Sequence, residues 1–97
     1  MARQIVAVRM SGGLEHRHIV GVAFVVTNDP DAFLARTMKV EVVLREIDKA
    51  NDFFVRDSNG EVSAVVSVRS GDSRYIRAKQ GGVLTDNLLR LPRYRSD

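Results

Sequence analysis

The stretch DFFVRDSNGEVSAVVSVRSGDSRYIRAK, residues 52–79, decides more of the fold than any other part of the chain. It contains three runs of strand-forming residues, separated by Ser58-Asn59-Gly60-Glu61 and by Ser70-Gly71-Asp72-Ser73. Asn-Gly is a strong signal for a two-residue hairpin turn, because both central residues of a type I′ turn need a positive φ. The stretch therefore predicts three consecutive antiparallel strands joined by two tight turns.

The apolar pattern predicts a register for each hairpin. In the first hairpin, a two-residue turn pairs Val55 with Ala64, so that apolar residues face each other. In the second, a loop of even length would mix apolar and polar faces. A three-residue loop, Gly71-Asp72-Ser73, instead pairs Val68 with Ile76. We therefore predict the three-residue loop.

These registers give the three strands two unlike faces. The first face is apolar and must lie on a core; it carries Phe53, Val55, Val62, Ala64, Val66, Val68, Ile76 and Ala78. The second face is mixed; it carries Phe54, Arg56, Ser63, Val65, Ser67, Arg69, Tyr75, Arg77 and Lys79. The candidate surface for a protein partner or a nucleic acid is the aromatic and basic part of this second face, namely Phe54, Arg56, Arg69, Tyr75, Arg77 and Lys79.

Length and composition indicate one soluble domain, residues 1–97. A chain of this length can bury roughly 65% of its extended surface and fold without covalent staples. The absence of cysteine excludes disulfides, thiolate chemistry and zinc sites of the cysteine type. The longest apolar run, residues 19–26, is far shorter than the ~20 residues of a membrane span. The first strand begins too close to Met1 for a signal peptide, so we expect a cytoplasmic protein.

The positive charge is concentrated in the last third of the chain. The net charge is +3, with a balance of −1 in residues 1–68 and of +4 in residues 69–97. Most of the basic residues are arginine, whose planar fork suits phosphates, carboxylates and aromatic faces. Two interpretations stay open: a solvated arginine-rich face, or a surface that binds an anionic partner.

Two strands are predicted before the central stretch, at residues 3–10 and 17–26. The second is apolar on both faces, which is typical of an interior strand. Gly21 within it marks a bulge or a close approach of another backbone. Ser11-Gly12-Gly13 between the strands is predicted to be a hairpin turn, because nothing after it completes a phosphate-binding loop.

One long helix is predicted from Met38 to Ala50, with Thr37 as its N-cap. Apolar residues at spacings of three and four form a stripe that packs on the sheet: Val40, Val43, Leu44 and Ile47. Before the helix, residues 28–31 have the composition of a turn. Residues 32–35 are predicted to form either one helical turn or a hydrophobic flap.

The closing segment VLTDNLLRLPRY contains four leucines that must cover something. Thr85 is expected to cap a short helical turn from Asp86 to Leu91, which Pro92 ends. One place available to these leucines is the exposed side of the sheet, where they would bury the candidate surface. The tail from about residue 93 is expected to fray.

No catalytic site, cofactor or metal is predicted. The sequence has no nucleophile elbow, no Walker motif and no carboxylate pair with a recognisable spacing. The polar trio Thr85-Asp86-Asn87 lies where helix caps are expected. His16 and His18 share one side at strand spacing, but only Glu15 is placed to join them as a metal ligand.

Several of these pieces occur together in a known family. Residues 5–8 lead into Ser11-Gly12, and Tyr75-Ile76-Arg77 precedes a closing block, residues 85–94, with Asp-Asn-Leu and a final Leu-Pro-Arg-Tyr. In these features the chain resembles a group of small bacterial and phage proteins classed as a domain of unknown function. It departs from them at residues 28–37, where its insert is longer and more apolar. The resemblance covers nearly the whole chain and implies one complete domain, but no activity.

We therefore expect an α+β domain in two layers, with a mainly antiparallel sheet of about five strands in the order ββαβββ and one long helix on one face. The expected function is non-catalytic contact with a protein, as an adaptor, an inhibitor or a homodimer, because Tyr, Phe and Arg dominate interface energetics. The alternative is binding of a nucleic acid or an anionic nucleotide, with aromatic residues stacking on bases and basic residues neutralising phosphates. No membrane partner is expected.

Overall fold

The computed structural model describes residues 3–26 and 35–95. Its strands are β1 (Arg3–Met10), β2 (Ile19–Val26), β3 (Arg36–Lys39), β4 (Phe53–Arg56), β5 (Val62–Ser70), β6 (Ser73–Gln80) and β7 (Val83–Thr85). Its one α-helix, α1, spans Val40–Asp48, and two short 3₁₀ helices span His16–His18 and Asn87–Arg90.

In the part of the chain that the structure describes, seven strands form one sheet in the order β3-β2-β1-β4-β5-β6-β7. Neighbouring strands are antiparallel, except that β1 and β4 pair in parallel. The helix α1 contacts β2 and β3 in one half of the sheet and β5 and β6 in the other. The α+β class with one helix on a mostly antiparallel sheet is confirmed, but the prediction of five strands is wrong.

The first additional strand, β3, uses residues that were assigned to the start of the helix. Thr37, the predicted N-cap, pairs with Ala23 of β2, and α1 begins only at Val40. Backbone hydrogen bonds to the buried strand β2 outweigh the local preference of threonine for a cap. The helix also ends earlier than predicted, because Ala50 adopts a left-handed φ of 63°.

The second additional strand, β7, follows the two glycines at positions 81 and 82. These form a two-residue loop that pairs Gln80 with Val83. Consecutive glycines favour such hairpin loops. The signal for this strand was therefore present in the sequence.

The predicted apolar stripe of the helix is confirmed. Val43 and Leu44 are buried, while Val40 and Ile47 are partly buried against the same core. The sheet contributes most of the rest of this core: Ile5, Val8, Ile19, Val22, Phe24, Phe53, Val55, Val65, Ile76 and Ala78.

The register of the first central hairpin differs by one residue from the prediction. Ala64 faces Phe54 rather than Val55. The reason is Asp57, whose carboxylate oxygen Oδ1 accepts hydrogen bonds from two backbone N–H groups of the loop, each at 2.9 Å. This bonding holds a loop longer than the predicted two-residue turn.

The second central hairpin also differs. Val68 faces Tyr75, so the loop contains only Gly71 and Asp72, and the predicted three-residue loop is wrong. Gly71 has a φ of 60°, as the first central residue of a type II′ turn requires.

Together the two registers reverse the faces of β5. Ser63 is only 1% exposed and Val65 is buried, whereas Val62 is 48% exposed. The amide Nδ2 of Asn87 donates a hydrogen bond to the Ser63 hydroxyl at 3.1 Å, which gives this buried polar group a partner. The residues that the pattern assigned to the core, Val62, Ala64, Val66 and Val68, therefore lie on the opposite side from it.

The closing segment seals the core side of the sheet. Leu88 is completely buried in the core, and its 3₁₀ helix contacts β1, β4 and β6. The predicted C-terminal helical turn is thus a 3₁₀ helix of four residues. Because Leu88 packs on the core side, it does not cover the predicted candidate surface.

The backbone of Pro92 and Tyr94, where the tail that is expected to fray begins, is bonded to β1. The backbone N–H of Val8 donates to the Pro92 carbonyl at 3.0 Å, and the N–H of Tyr94 donates to the Val8 carbonyl at 3.1 Å. This segment therefore extends along β1.

No helix in the described ranges is long and apolar enough to cross a membrane. The predicted turn at residues 28–31 and most of the predicted helical turn or flap at residues 32–35 lie outside the described residues.

Candidate interaction surface

The side of the sheet opposite the core forms a continuous surface over β4 to β7. Side chains alternate between the two sides of a strand, and paired residues lie on the same side. The observed registers therefore bring one set of residues together, which we name the β4–β7 outer face. It consists of Phe54, Arg56, Val62, Ala64, Val66, Val68, Tyr75, Arg77, Lys79 and Leu84.

Most of the predicted surface residues lie on this face, but Arg69 does not. Arg69 pairs with Arg74, which alternates with the core residue Ile76 along its strand. The one-residue shift of β5 turns Arg69 away from Phe54 and Tyr75. The predicted set is therefore divided, with Phe54, Arg56, Tyr75, Arg77 and Lys79 on one side and Arg69 on the other.

The centre of the β4–β7 outer face is more apolar than predicted. One row across the strands runs from Phe54 through Ala64 and Lys79 to Leu84. Ala64 is exposed and Leu84 is 40% exposed. Exposed aliphatic residues grouped on one face mark a candidate contact surface better than scattered ones do.

Two of the cations of this face are already engaged within the chain. The guanidinium of Arg77 donates to the Asp86 carboxylate at 3.1 Å and to the Thr85 carbonyl at 3.3 Å. That of Arg56 donates to the Gly60 carbonyl at 3.1 Å. These contacts leave less positive charge for a phosphate than the sequence implied.

A buried histidine lies beside the Arg77–Asp86 pair. The Nε2 atom of His16 is 3.9 Å from an Asp86 carboxylate oxygen, and the side chain is only 11% exposed. Burial lowers the pKa of His16, and the charge of Arg77 lowers it further, while Asp86 opposes both. In the described part of the chain, neither His16 Nε2 nor Arg77 Nε has a hydrogen-bond partner. The imidazole is therefore neutral at pH 7.

The first 3₁₀ helix also borders a cleft of about 840 Å³ at one end of β6. Its lining residues are Glu15, His16, Arg17, His18, Ser70, Ser73, Arg74 and Tyr75. Its two arginines are paired: Arg17 with Glu15 at 2.9 Å, and Arg74 with Asp48 of α1 at 2.8 Å. Within residues 3–26 and 35–95, no three His, Cys, Asp or Glu side chains are grouped as a metal site requires.

Two features of this surface escaped the sequence pattern. The first is the outward position of Ala64 and its neighbours, which depends on the lengths of two loops. The second is the pair of backbone N–H groups that Asp57 binds, since no sequence pattern predicted this bonding. Gly21, predicted to mark a bulge or a close approach of another backbone, lies beside a register shift between β1 and β2. A Cβ atom added there would lie 2.8 Å from the Tyr94 side-chain hydroxyl and 3.4 Å from the Met38 carbonyl oxygen. The pattern could not reveal that Tyr94 is the residue that approaches.

The comparison with protein families agrees with the resemblance noted from the sequence. The model of a family described as a protein of unknown function (DUF3892) matches residues 4–92. The chain belongs to this family. No catalytic family is indicated. No curated protein and no solved structure matches the chain.

Proposed function

We propose that the chain is a small non-catalytic binding module that acts through protein–protein contact, with the β4–β7 outer face as its contact surface. The observation that carries the proposal is the reversed β5 strand, which turns Val62, Ala64 and Val66 outward. These apolar residues lie between aromatic and basic residues. An apolar centre with a polar rim is the usual anatomy of a protein interface.

The charge arrangement supports contact with a protein rather than with a phosphate chain. Arg77 is neutralised by Asp86, and Arg69 lies on the other side of the sheet. With one of its three cations neutralised, the face attracts a polyanion less strongly than the predicted set would, because fewer phosphates are neutralised and fewer counterions are released. Such a face still offers the aliphatic stems of arginine and lysine for packing.

The simplest occupant of the face is a second copy of the chain. A two-fold dimer places the same patch against itself, so a nearly flat sheet face can serve both subunits. Lys79 lies within the row, between Ala64 and Leu84, and its long side chain can pack its stem on such a contact while the ammonium group stays hydrated. A different protein, bound as an adaptor or inhibitor binds its target, would use the same residues.

Sedimentation equilibrium over a range of concentrations tests this proposal. Leu84→Asp places a charge on the outer face, whereas Val83→Asp places the same charge on the adjacent residue of the same strand, which pairs with Gln80 and lies on the other side. Both residues are exposed, at 40% and 65%. We expect Leu84→Asp to weaken self-association at least about tenfold, and Val83→Asp to leave it unchanged.

If the wild-type chain is monomeric, in-cell cross-linking of both variants replaces sedimentation as the measurement. Partners that cross-link to wild type and to Val83→Asp, but not to Leu84→Asp, support the proposal. Equal cross-linking by both variants refutes it.

Nucleic-acid binding is the alternative, and it has a separate test. Fluorescence anisotropy of a labelled random single strand is measured at about 50 and 200 mM salt, with Arg77→Glu as the variant. If the face contacts a protein, we expect no binding of the single strand that depends on Arg77. Binding that weakens steeply with salt and is lost in the variant would instead support nucleic-acid binding through neutralisation of phosphates.

A further inference from the structure

A second site lies where the C-terminal segment crosses the other half of the sheet. Arg9 of β1, Gly21 of β2 and Lys39 of β3 form one row across three strands. Gly21 has no side chain, so the row has a gap between two cationic residues. The hydroxyl of Tyr94 lies over this gap, 2.8 Å from where a Cβ of residue 21 would be.

The gap is part of a cavity of about 310 Å³. We name it the Tyr94 trough, and its lining residues are Arg9, Val20, Gly21, Thr37, Met38, Lys39, Tyr94 and Arg95. Its volume is at the lower end of the roughly 300–1,000 Å³ that small-molecule sites have. The trough is independent of the proposed contact face, because the two share no residue.

The charge of the trough is unbalanced. Arg9, Lys39 and Arg95 are exposed, and none of them has an ion pair with the residues that the structure describes. None of the lining residues is acidic. Like charges that surround one small cavity repel each other unless an anion occupies it. The trough therefore has the electrostatics of an anion site.

The donors in the trough match a phosphate group better than a carboxylate. Tyr94 and Thr37 contribute hydroxyl groups, and the two arginines contribute planar forks that suit phosphate oxygens. A phosphomonoester carries up to two negative charges and three acceptor oxygens, whereas a carboxylate carries one charge and two oxygens. Three cations and two hydroxyls exceed what a carboxylate can satisfy.

We propose that the Tyr94 trough binds the phosphate group of a small phosphorylated molecule. The phosphate lies between Arg9 and Lys39, whose backbones are about 10 Å apart across the central strand, a separation that their long side chains bridge. The Tyr94 hydroxyl donates to one phosphate oxygen, and Arg95 closes the open side. The remaining volume accommodates a small organic group.

Nuclear magnetic resonance titration of the full chain tests this assignment. The probes are inorganic phosphate and glycerol 3-phosphate, with glycerol as the uncharged control and acetate as the carboxylate control. We expect the amide signals of Gly21, Thr37 and Lys39 to shift with both phosphate probes. Glycerol 3-phosphate should bind with the higher affinity of the two. Glycerol causes no shift, and acetate binds more weakly than either.

Variants distinguish binding of the anion in the trough from its general attraction to a basic protein. Arg9→Gln and Lys39→Gln should each weaken binding about tenfold, as expected for the loss of one charge-assisted hydrogen bond. Arg69→Gln, the same charge change outside the trough, should leave it unchanged. Gly21→Ala should abolish binding, because its methyl group displaces the Tyr94 hydroxyl. If Gly21→Ala does not fold, Tyr94→Phe takes its place as the variant that removes the hydroxyl from the trough.

Three results would overturn the proposal. The first is an unchanged affinity in Lys39→Gln. The second is saturation by acetate at the same concentration as by phosphate. The third is a set of phosphate-induced shifts confined to other parts of the sheet.

Discussion

The β4–β7 outer face and the Tyr94 trough lie on the same side of one sheet, yet the outer face has an ion-paired arginine and the trough, within the described residues, has none. The common side follows from the registers, since Val25 of β2 pairs with Gln4, and Gln4 pairs with Phe54. Arg77 on the outer face is held by Asp86, whereas Arg9 in the trough has no acidic partner in the described ranges. The comparison teaches that an arginine attracts an anion only where the fold leaves it unpaired.

The sequence could not make this distinction, because a count of charges treats every arginine alike. It located the excess charge in residues 69–97 and selected four cations or aromatics there. Two of the three unpaired cations of the trough, Arg9 and Lys39, are outside that region. Four measurements test this difference between the two regions, and we give them in decreasing order of the change that we expect.

The assignment of the two faces of β5 predicts the largest difference in the free energy of unfolding between two variants. Ser63→Asp places a charge at a position that is 1% exposed, whereas Ala64→Asp places it on the exposed face one residue later. We expect Ser63→Asp to lower the free energy of unfolding by about 4 kcal/mol or more, and Ala64→Asp by less than about 0.5 kcal/mol. Urea denaturation followed by circular dichroism measures both. The opposite order would restore the originally predicted register.

The closing segment contains Leu84 of the outer face and Tyr94 of the trough. We therefore expect Leu88, which anchors this segment in the core, to stabilise both regions. Leu88→Ala empties a completely buried position and should lower the free energy of unfolding by about 3 kcal/mol. Leu84→Ala, at a position 40% exposed, should change it by less than about 1 kcal/mol. Chemical denaturation of the pair measures this contrast. Equal losses would mean that Leu88 does not anchor the segment.

The burial of His16 beside the Arg77–Asp86 pair predicts that the stability of the chain depends on pH. Because the pKa of His16 is lowered in the folded chain, the unfolded chain binds more protons once the pH falls below about 6.5. This contribution to stability is complete above that pH and is lost as the pH falls through the folded pKa. Denaturation curves between about pH 7.5 and pH 5 should show a decline that His16→Gln reduces. An identical decline in the variant would exclude His16 as its source.

The position of Arg9 predicts the smallest effect, on the ionisation of Tyr94. Burial raises the pKa of Tyr94 above its ordinary value of 10.0, and the positive charge of Arg9 partly opposes this. Arg9→Gln should therefore raise the pKa of Tyr94 further. An ultraviolet absorbance titration in a Tyr75→Phe background observes this tyrosine alone. A downward shift, or none, would place the guanidinium away from the hydroxyl.

Much of the fold followed from local patterns. The helix stripe with Val43 and Leu44 at its centre was predictable because helical periodicity repeats within a few turns of sequence. The buried strand that contains Val22 and Phe24 was recognisable from its continuous apolar run. These predictions use only residues that are neighbours in the chain.

The candidate site was less predictable, since a strand has a side-chain period of two. A loop that changes by one residue therefore turns every side chain to the other face. β5 is an extreme case because its pattern has apolar residues on both faces, with Val65 on one and Val66 on the other. Two loop-length errors, at Asp57 and at Gly71, were enough to exchange its core and outer residues.

The sequence by itself thus determined the class of the fold, the position of the helix and the absence of cysteine chemistry, because these depend on composition and on local period. Only the tertiary structure decided which face of β5 is outward, which cations are paired and that Tyr94 lies over Gly21. The face of β5 depends on the lengths of two loops, whereas ion pairs such as Arg74 with Asp48, and the position of Tyr94, depend on contacts between residues far apart in the chain. A pattern read along one sequence contains no distance between such residues.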